Sequence, residues 1–124
     1  MSERITSFQD LRVYYEACVL DLAIFKATKS FPREEMFSLT DQVRRSSRSV
    51  GANISEAWAK RRYPAHFVSK LTCADGELQE TRHWTGRACA FDYIDQAALD
   101  DLNIKCAAIG RMLGKMMQSP EDFT

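Results

Sequence analysis

Phe37-Ser-Leu-Thr-Asp-Gln-Val-Arg-Arg-Ser-Ser-Arg-Ser-Val-Gly-Ala-Asn-Ile-Ser-Glu-Ala-Trp-Ala-Lys-Arg-Arg62 combines an apolar stripe, a face of small residues and a concentration of positive charge. Leu39, Val43, Ser46, Val50, Ile54 and Ala57 recur at steps of three and four, which is one face of a helix. Asn53 lies on the edge of that stripe, and Ser38-Leu-Thr-Asp41 supplies a cap signature ahead of it. On the opposite side Gly51, Ser55 and Ala59 are spaced four apart, with Ala52 beside them. Glycine inside a helix costs about 1 kcal/mol relative to alanine. A face this small is therefore expected to receive another helix at close range.

The same periodicity extends outward on both sides. Ser7-Phe-Gln-Asp10 is a capping-box pattern, and Leu11, Tyr15, Cys18, Leu22 and Phe25 follow it at alternating steps of four and three. Ser30-Phe-Pro32 closes that segment, because proline disfavours helix in the residue before it. Pro64 suits the first position of a third helix, where its missing N–H costs nothing. Phe67, Leu71, Ala74, Leu78, Thr81, Thr85 and Ala88 then form the most regular stripe of the chain. Asp95 is an expected N-cap for a fourth helix carrying Leu99, Leu102, Cys106, Ile109, Leu113 and Met116. Ser119-Pro120 ends it and leaves a short polar tail. No segment alternates with period two. Four heptad stripes with mostly short connections predict an all-α fold, an antiparallel up-down four-helix bundle, in one domain over residues 1–124.

Composition narrows the function classes. The chain has 17 basic and 17 acidic side chains, so its net charge is zero and any electrostatic role must be local. Cys18, Cys73, Cys89 and Cys106 show no C-x-x-C spacing and read as reduced, mostly buried small hydrophobes. The opening Met-Ser-Glu-Arg-Ile-Thr has no signal-peptide pattern, and the apolar run Ala17 to Phe25 is broken by Asp21 and too short to span a bilayer. A cytoplasmic protein without membrane contact is expected.

Catalytic and metal chemistry find little support. Glu80-Thr-Arg-His83 has the Glu-x-x-His spacing of di-iron bundles, but it occurs once and points away from the stripe of Leu78 and Thr81. His66, the other histidine, has Tyr63 where the glutamate would stand. There is no glycine-rich phosphate cradle and no Ser-His-Asp arrangement. Asp75, Glu77 and Glu80 sit off the core stripe. No metal, no cofactor and no enzymatic activity are expected.

Binding is the remaining class. Six of the 17 basic residues, Arg44, Arg45, Arg48, Lys60, Arg61 and Arg62, lie between Arg44 and Arg62 against one acid, Glu56. Arg44 and Arg48 are one turn apart and face outward, as phosphate contacts would. Arg45, close in phase to Glu56, is expected in a local ion pair. Lys60, Arg61 and Arg62 read two ways, as phosphate contacts or as a solvated, ion-paired turn. For self-association the candidates are Gly51, Ser55 and Ala59 with Trp58 beside them. Cys73, Trp84 and Phe91 form a second apolar line on the third helix. The expected function is an oligomeric accessory module that binds RNA, DNA or a ribonucleoprotein through Arg44, Arg48, Lys60, Arg61 and Arg62. The competing class is a protein-binding scaffold.

These residues resemble the bacterial four helix bundle protein family, the type encoded in intervening sequences of large-subunit ribosomal RNA genes and related to accessory variability proteins of retroelements. Phe8-Gln-Asp-Leu11 with Val13 and Ala17 looks like its opening, and Phe31-Pro32 with Glu35, Leu39-Thr40, Gln42 and Arg44-Arg45 like its middle. Ser49-Val-Gly-Ala-Asn-Ile-Ser-Glu56 resembles its Ser-Ile-Pro-x-Asn-Ile-Ala-Glu-Gly signature, with Gly51 in place of the proline and Ala57 in place of the last glycine. Ala74-Asp-Gly76, Glu80 and Tyr93-Ile94 match later positions. The resemblance implies an up-down bundle assembled into a five-fold ring, a homopentamer, and for the retroelement relatives binding to nucleic acid and a reverse transcriptase. It implies no established activity for most members.

Overall fold

In the computed structural model, which describes residues 4–123, helix α1 spans Arg12–Thr28, α2 Leu39–Ala59, α3 Pro64–Ala90 and α4 Gln96–Gln118. There is no strand among the described residues. Met1 to Glu3 of the opening segment lie outside them. Sequence neighbours pack as α1–α2, α2–α3 and α3–α4, and α4 closes back on α1, while the diagonal pairs stay apart. This is the up-down bundle the four stripes predict. With 27 residues, α3 is about 40 Å long at 1.5 Å per residue.

Local chemistry explains the boundaries. Ser7 accepts from the Gln9 N–H while Asp10 accepts from the Thr6 and Ser7 N–H groups, but this box caps the 3-10 turn Phe8–Asp10 rather than α1 itself. Pro64 occupies the first turn of α3. Asp95 Oδ1 accepts from the Ala98 N–H at 2.8 Å and starts α4. The turn between α3 and α4 is closed by Asp92 at φ 64°, a left-handed conformation in which aspartate is among the better tolerated side chains.

The α2 and α3 stripes are buried at every predicted position, and α4 from Leu102 to Met116, with Leu99 half-buried. Phe67, Leu71, Leu78, Ile54 and Ile109 are completely enclosed. At the centre of the α2–α3 seam the Thr81 hydroxyl donates to Ser46 Oγ at 2.9 Å, and Ser46 donates on to the Val43 carbonyl. Two buried hydroxyls are thereby satisfied in an otherwise apolar interface.

Three expectations are corrected. The inward face of α1 is Val13, Ala17, Leu20, Ile24 and Thr28, whereas Tyr15 is 63% and Leu22 50% exposed. Gly51 is buried within the chain against Tyr14 and Ala17 of α1, so it is not part of an outward small-residue face. The tail is not merely polar: Phe123 in the final turn Pro120–Phe123 stacks on Phe67, with ring centroids 5.7 Å apart.

Leu78→Ala should cost about 2–5 kcal/mol, the range for large-to-small changes in packed interiors. Urea unfolding that showed less than about 0.5 kcal/mol would place Leu78 at a surface. Gly51→Ala should raise stability by up to about 1 kcal/mol by helix propensity, because the added Cβ meets Tyr14 at 3.6 Å, an ordinary contact. Thermal unfolding of the pair distinguishes this from a seam that needs glycine, in which case the variant melts lower.

Candidate nucleic-acid interface

The basic residues of α2 do not form one patch. Arg44 and Lys60 are separated by 16 positions along α2, about 24 Å. The cluster seen in the sequence is two groups, one at each end of the helix.

At the end near the α1–α2 connection, Phe25 of α1 is the organising group. Arg44 Cζ and Lys29 Nζ each lie 4.9 Å from its ring centroid, and Arg48 Cζ lies 5.9 Å away. Cations on an aromatic face are attracted by the ring quadrupole. Arg44 is also anchored, since its Nε donates to Thr28 Oγ1 at 2.8 Å. Thr28 in turn donates to the Ile24 carbonyl at 2.8 Å, which ties the guanidinium to the backbone of α1. Arg48 approaches Asp21, whose carboxyl is pushed up by burial and drawn partly back by this guanidinium. Arg33, exposed on the connection, adds a fourth cation.

At the other end, Arg61 folds back on the chain. Its Nη1 donates to the Trp58 carbonyl at 2.9 Å and its Cζ lies 4.0 Å from the Trp58 ring centroid. Lys60 caps α2 and is exposed, as is Arg62. Arg45 faces Asp41 at 3.8 Å. Burial and the neighbouring Glu80 push the Glu77 carboxyl up, and Arg45 draws it only partly back, whereas Glu56 is taken by Lys70 at 2.7 Å. Arg45 is thus ion-paired, though to Asp41 rather than to the acids its phase suggested.

The remaining candidates are dispersed. Ser55 is half-buried and donates to the Ala52 carbonyl at 2.8 Å, while Ala59 and Cys73 are exposed. Trp84 and Phe91 share a groove with Phe37 between the start of α2 and the end of α3, with Arg87 Cζ 5.1 Å from the Phe91 ring. Phe37 is 91% exposed, and neither its place in the stripe nor its neighbours in sequence single it out. Cys106 is enclosed and burial pushes its thiol up to about 11, so it stays protonated at neutral pH. Glu80 and His83 are exposed, and among the described residues no three His, Cys, Asp or Glu side chains are grouped to hold a metal ion. No helix among them is long and apolar enough to cross a membrane.

The connections on this end are held by Glu35. Its carboxylate accepts from the Ser38 hydroxyl, from Tyr93 OH at 2.7 Å and from the Leu39 N–H at 3.4 Å. One side chain therefore joins the α1–α2 connection, the start of α2 and the α3–α4 turn.

An up-down bundle with two basic ends on its second helix is a class of small helical protein, and the comparisons narrow it. The 23S rRNA-intervening sequence protein family model matches residues 9–115, and the chain belongs to that family. A protein of unknown function from the S23 ribosomal protein family of Bacteroides thetaiotaomicron has a crystal structure similar to this fold. The two are 27% identical with a TM-score of 0.76, over 85% of this chain and 97% of that one. No curated protein matches. Neither the family nor the structural neighbour carries an enzymatic designation.

Hydrogen bonds from Ser38, then Tyr93 and the Leu39 N–H, hold the Glu35 carboxyl below the ordinary range. A depressed folded pKa contributes stability above the unfolded value of about 4.3 that is lost as pH falls through the folded one. Glu35→Gln should therefore melt lower than the parent at pH 7. The difference should shrink at a pH well below about 4.3, once the pH has fallen through the depressed folded pKa and both side chains are neutral. Melting curves at the two pH values check it, and an equal difference at both would mean that the ionised carboxylate contributes nothing.

Proposed function

We propose that this protein is a non-enzymatic, self-associating helical module that binds RNA through the basic ends of α2. The observation that carries the reading is the Phe25 corner, where Lys29, Arg44 and Arg48 gather on one ring. Cations interleaved with an aromatic ring match the chemistry of a single-stranded nucleic acid, whose phosphates need positive charge and whose bases stack. Lys60 and Arg62 at the far end supply exposed charge of the same sign. The family's designation connects its members with an intervening sequence of 23S rRNA, which supports RNA over DNA.

Self-association is supported by apolar side chains that one chain leaves outward. These are Phe37 and Phe91 in their groove, with Tyr15 and Leu22 on the outer face of α1. The five-fold ring that the resemblance implies would repeat each basic end around a rim. Repetition turns weak single contacts into useful avidity. The same apolar groove favours a second reading, a protein scaffold whose partners are other polypeptides and which binds no nucleic acid.

Fluorescence anisotropy with a labelled single-stranded RNA at low salt separates the two. Affinity should fall steeply with salt as neutralised phosphates release counterions, with a log–log slope of roughly 0.7 per phosphate contact. Arg48→Ala and Arg62→Ala should each weaken binding across sequences and reduce the slope by about one contact. Intact protein that leaves RNA unbound at low salt would favour the scaffold. Light scattering tests assembly: Phe37→Asp and Ala59→Arg should each lower the mass while the helical circular dichroism is retained. A parent that is monomeric at micromolar concentration excludes the ring.

A further inference from the structure

A recess of about 290 Å³ opens between the end of α1, the connection and the start of α2, lined among others by Phe25, Lys29, Arg33, Thr40 and Arg44. Three features set it apart from a solvated basic surface. First, Arg44 is pre-oriented. Its Nε is held by Thr28 and its Cζ lies 4.9 Å from the Phe25 ring centroid, yet neither Nη group has a hydrogen-bond partner among the described residues. Second, Thr40 in the wall is only 6% exposed and its hydroxyl has no hydrogen-bond partner. An unmade bond at a buried hydroxyl is costly, and an acceptor brought into the recess it lines would relieve that cost. Third, Thr40 belongs to the first turn of α2, where backbone N–H groups lack intrahelical acceptors and the helix dipole is positive. The acids nearest this end are engaged or turned to solvent. Glu35 is bonded to Ser38 and Tyr93, Asp41 faces Arg45, and Glu34 is exposed.

We infer that this recess binds a phosphomonoester, the phosphate on the end of an RNA strand or on a free nucleotide. The inference deepens the RNA-binding reading and rests on it for the first of these two sources. Lys29, Arg33 and Arg44 offer three positive charges to one small volume. A phosphomonoester carries close to two negative charges at neutral pH, its second pKa being near 6. A phosphodiester inside a strand carries one, and its chain must leave the recess in two directions. The dianionic, one-ended group is the better match in charge and in shape. The free Arg44 Nη groups donate to its oxygens in the manner guanidinium favours, and Thr40 gains the acceptor it lacks.

The test compares four probes on the full chain: a ten-nucleotide RNA with a 5′-phosphate, the same RNA with a 5′-hydroxyl, AMP and adenosine. The phosphorylated RNA should bind about tenfold more tightly than the hydroxyl form at pH 7.5, the contribution of one or two charge-assisted bonds. The preference should shrink at pH 5.5 as the monoester takes up its second proton. Arg33→Gln and Thr40→Val should each reduce the preference. Thr40→Val removes an unpartnered hydroxyl and should fold normally, which circular dichroism verifies. Arg62→Ala should weaken both RNAs equally and leave the ratio alone. Equal binding of both RNAs, with AMP no better than adenosine, overturns the inference and leaves RNA binding standing. AMP favoured over adenosine with neither RNA bound assigns the recess to free nucleotides and overturns the RNA reading. Failure of all four probes to bind overturns both.

Discussion

Everything in this bundle depends on how closely α2 fits between α1 and α3. It is buried on two sides, towards α3 through Val43, Ser46, Val50 and Ile54 and towards α1 through Ser47 and Gly51. A helix flanked this way cannot carry bulk on either seam. Ser46, Ser47 and Gly51 keep it narrow, and Ala74, Thr81, Thr85 and Ala88 do the same on α3. The hydroxyls that come with small size are themselves satisfied: Ser46 by Thr81, and Ser47 by the Arg44 carbonyl at 3.1 Å. Close packing and full hydrogen bonding are thus one requirement here, because a hydroxyl inside a dry seam is costly unless paired. The candidate site at the Phe25 end inherits this support. Arg44 and Arg48 stand on a helix clamped from both sides, and Phe25 stands on the helix it is clamped against.

The sequence is most legible where polarity is sharply divided. In α3 most positions off the stripe Phe67 to Ala88 are polar, and Val68, Cys73 and Trp84 are too scattered to make a competing stripe of equal regularity. In α1 the period has two solutions. Val13, Ala17, Leu20 and Ile24 make one apolar line, and Tyr15, Cys18, Leu22 and Phe25 make another roughly opposite, with polar residues too few to choose between them. The bulkier line suggests itself and the smaller one is inside, where Ala17 and the ring of Tyr14 lie against Gly51. Gly51 misleads for a related reason. Its smallness does signal a close helix, but that helix belongs to the same chain. Phe123 escaped notice because three polar or proline residues precede it, and only the tertiary fold brings it over Phe67.

The candidate site was legible in its charges and illegible in its geometry. Arg44, Arg48, Lys60, Arg61 and Arg62 stand close in sequence, and a helix converts that proximity into a separation of its own length. Lys29, Phe25 and Thr28 are remote in sequence and meet Arg44 only because α1 and α2 run antiparallel from a shared connection. No periodicity within α2 reports a partner on α1. Arg61 shows the converse. Its charge suggests an outward contact, yet the Trp58 ring and carbonyl hold it against the chain. A stacked guanidinium still presents charge at its edge, but its reach is fixed by the indole rather than by solvent.

The separation of the two basic ends constrains any strand that would use both. A net-neutral chain exerts little field at a distance, and at physiological salt the Debye length is about 8 Å. Ends about 24 Å apart therefore act as independent sites. With about 3.4 Å per nucleotide of a stacked strand, bridging them takes roughly seven nucleotides. A shorter segment meets one end only, and the two ends are not equivalent. The Phe25 corner offers oriented cations, an aromatic ring and a recess, whereas Lys60 and Arg62 offer exposed charge. On the proposed RNA-binding reading, discrimination between ligands would then arise at the corner, while the far end would contribute affinity that any phosphate chain of sufficient length can claim. That division follows from side-chain support alone: a guanidinium held by Thr28 and Phe25 can favour one geometry over another, and a freely solvated lysine cannot.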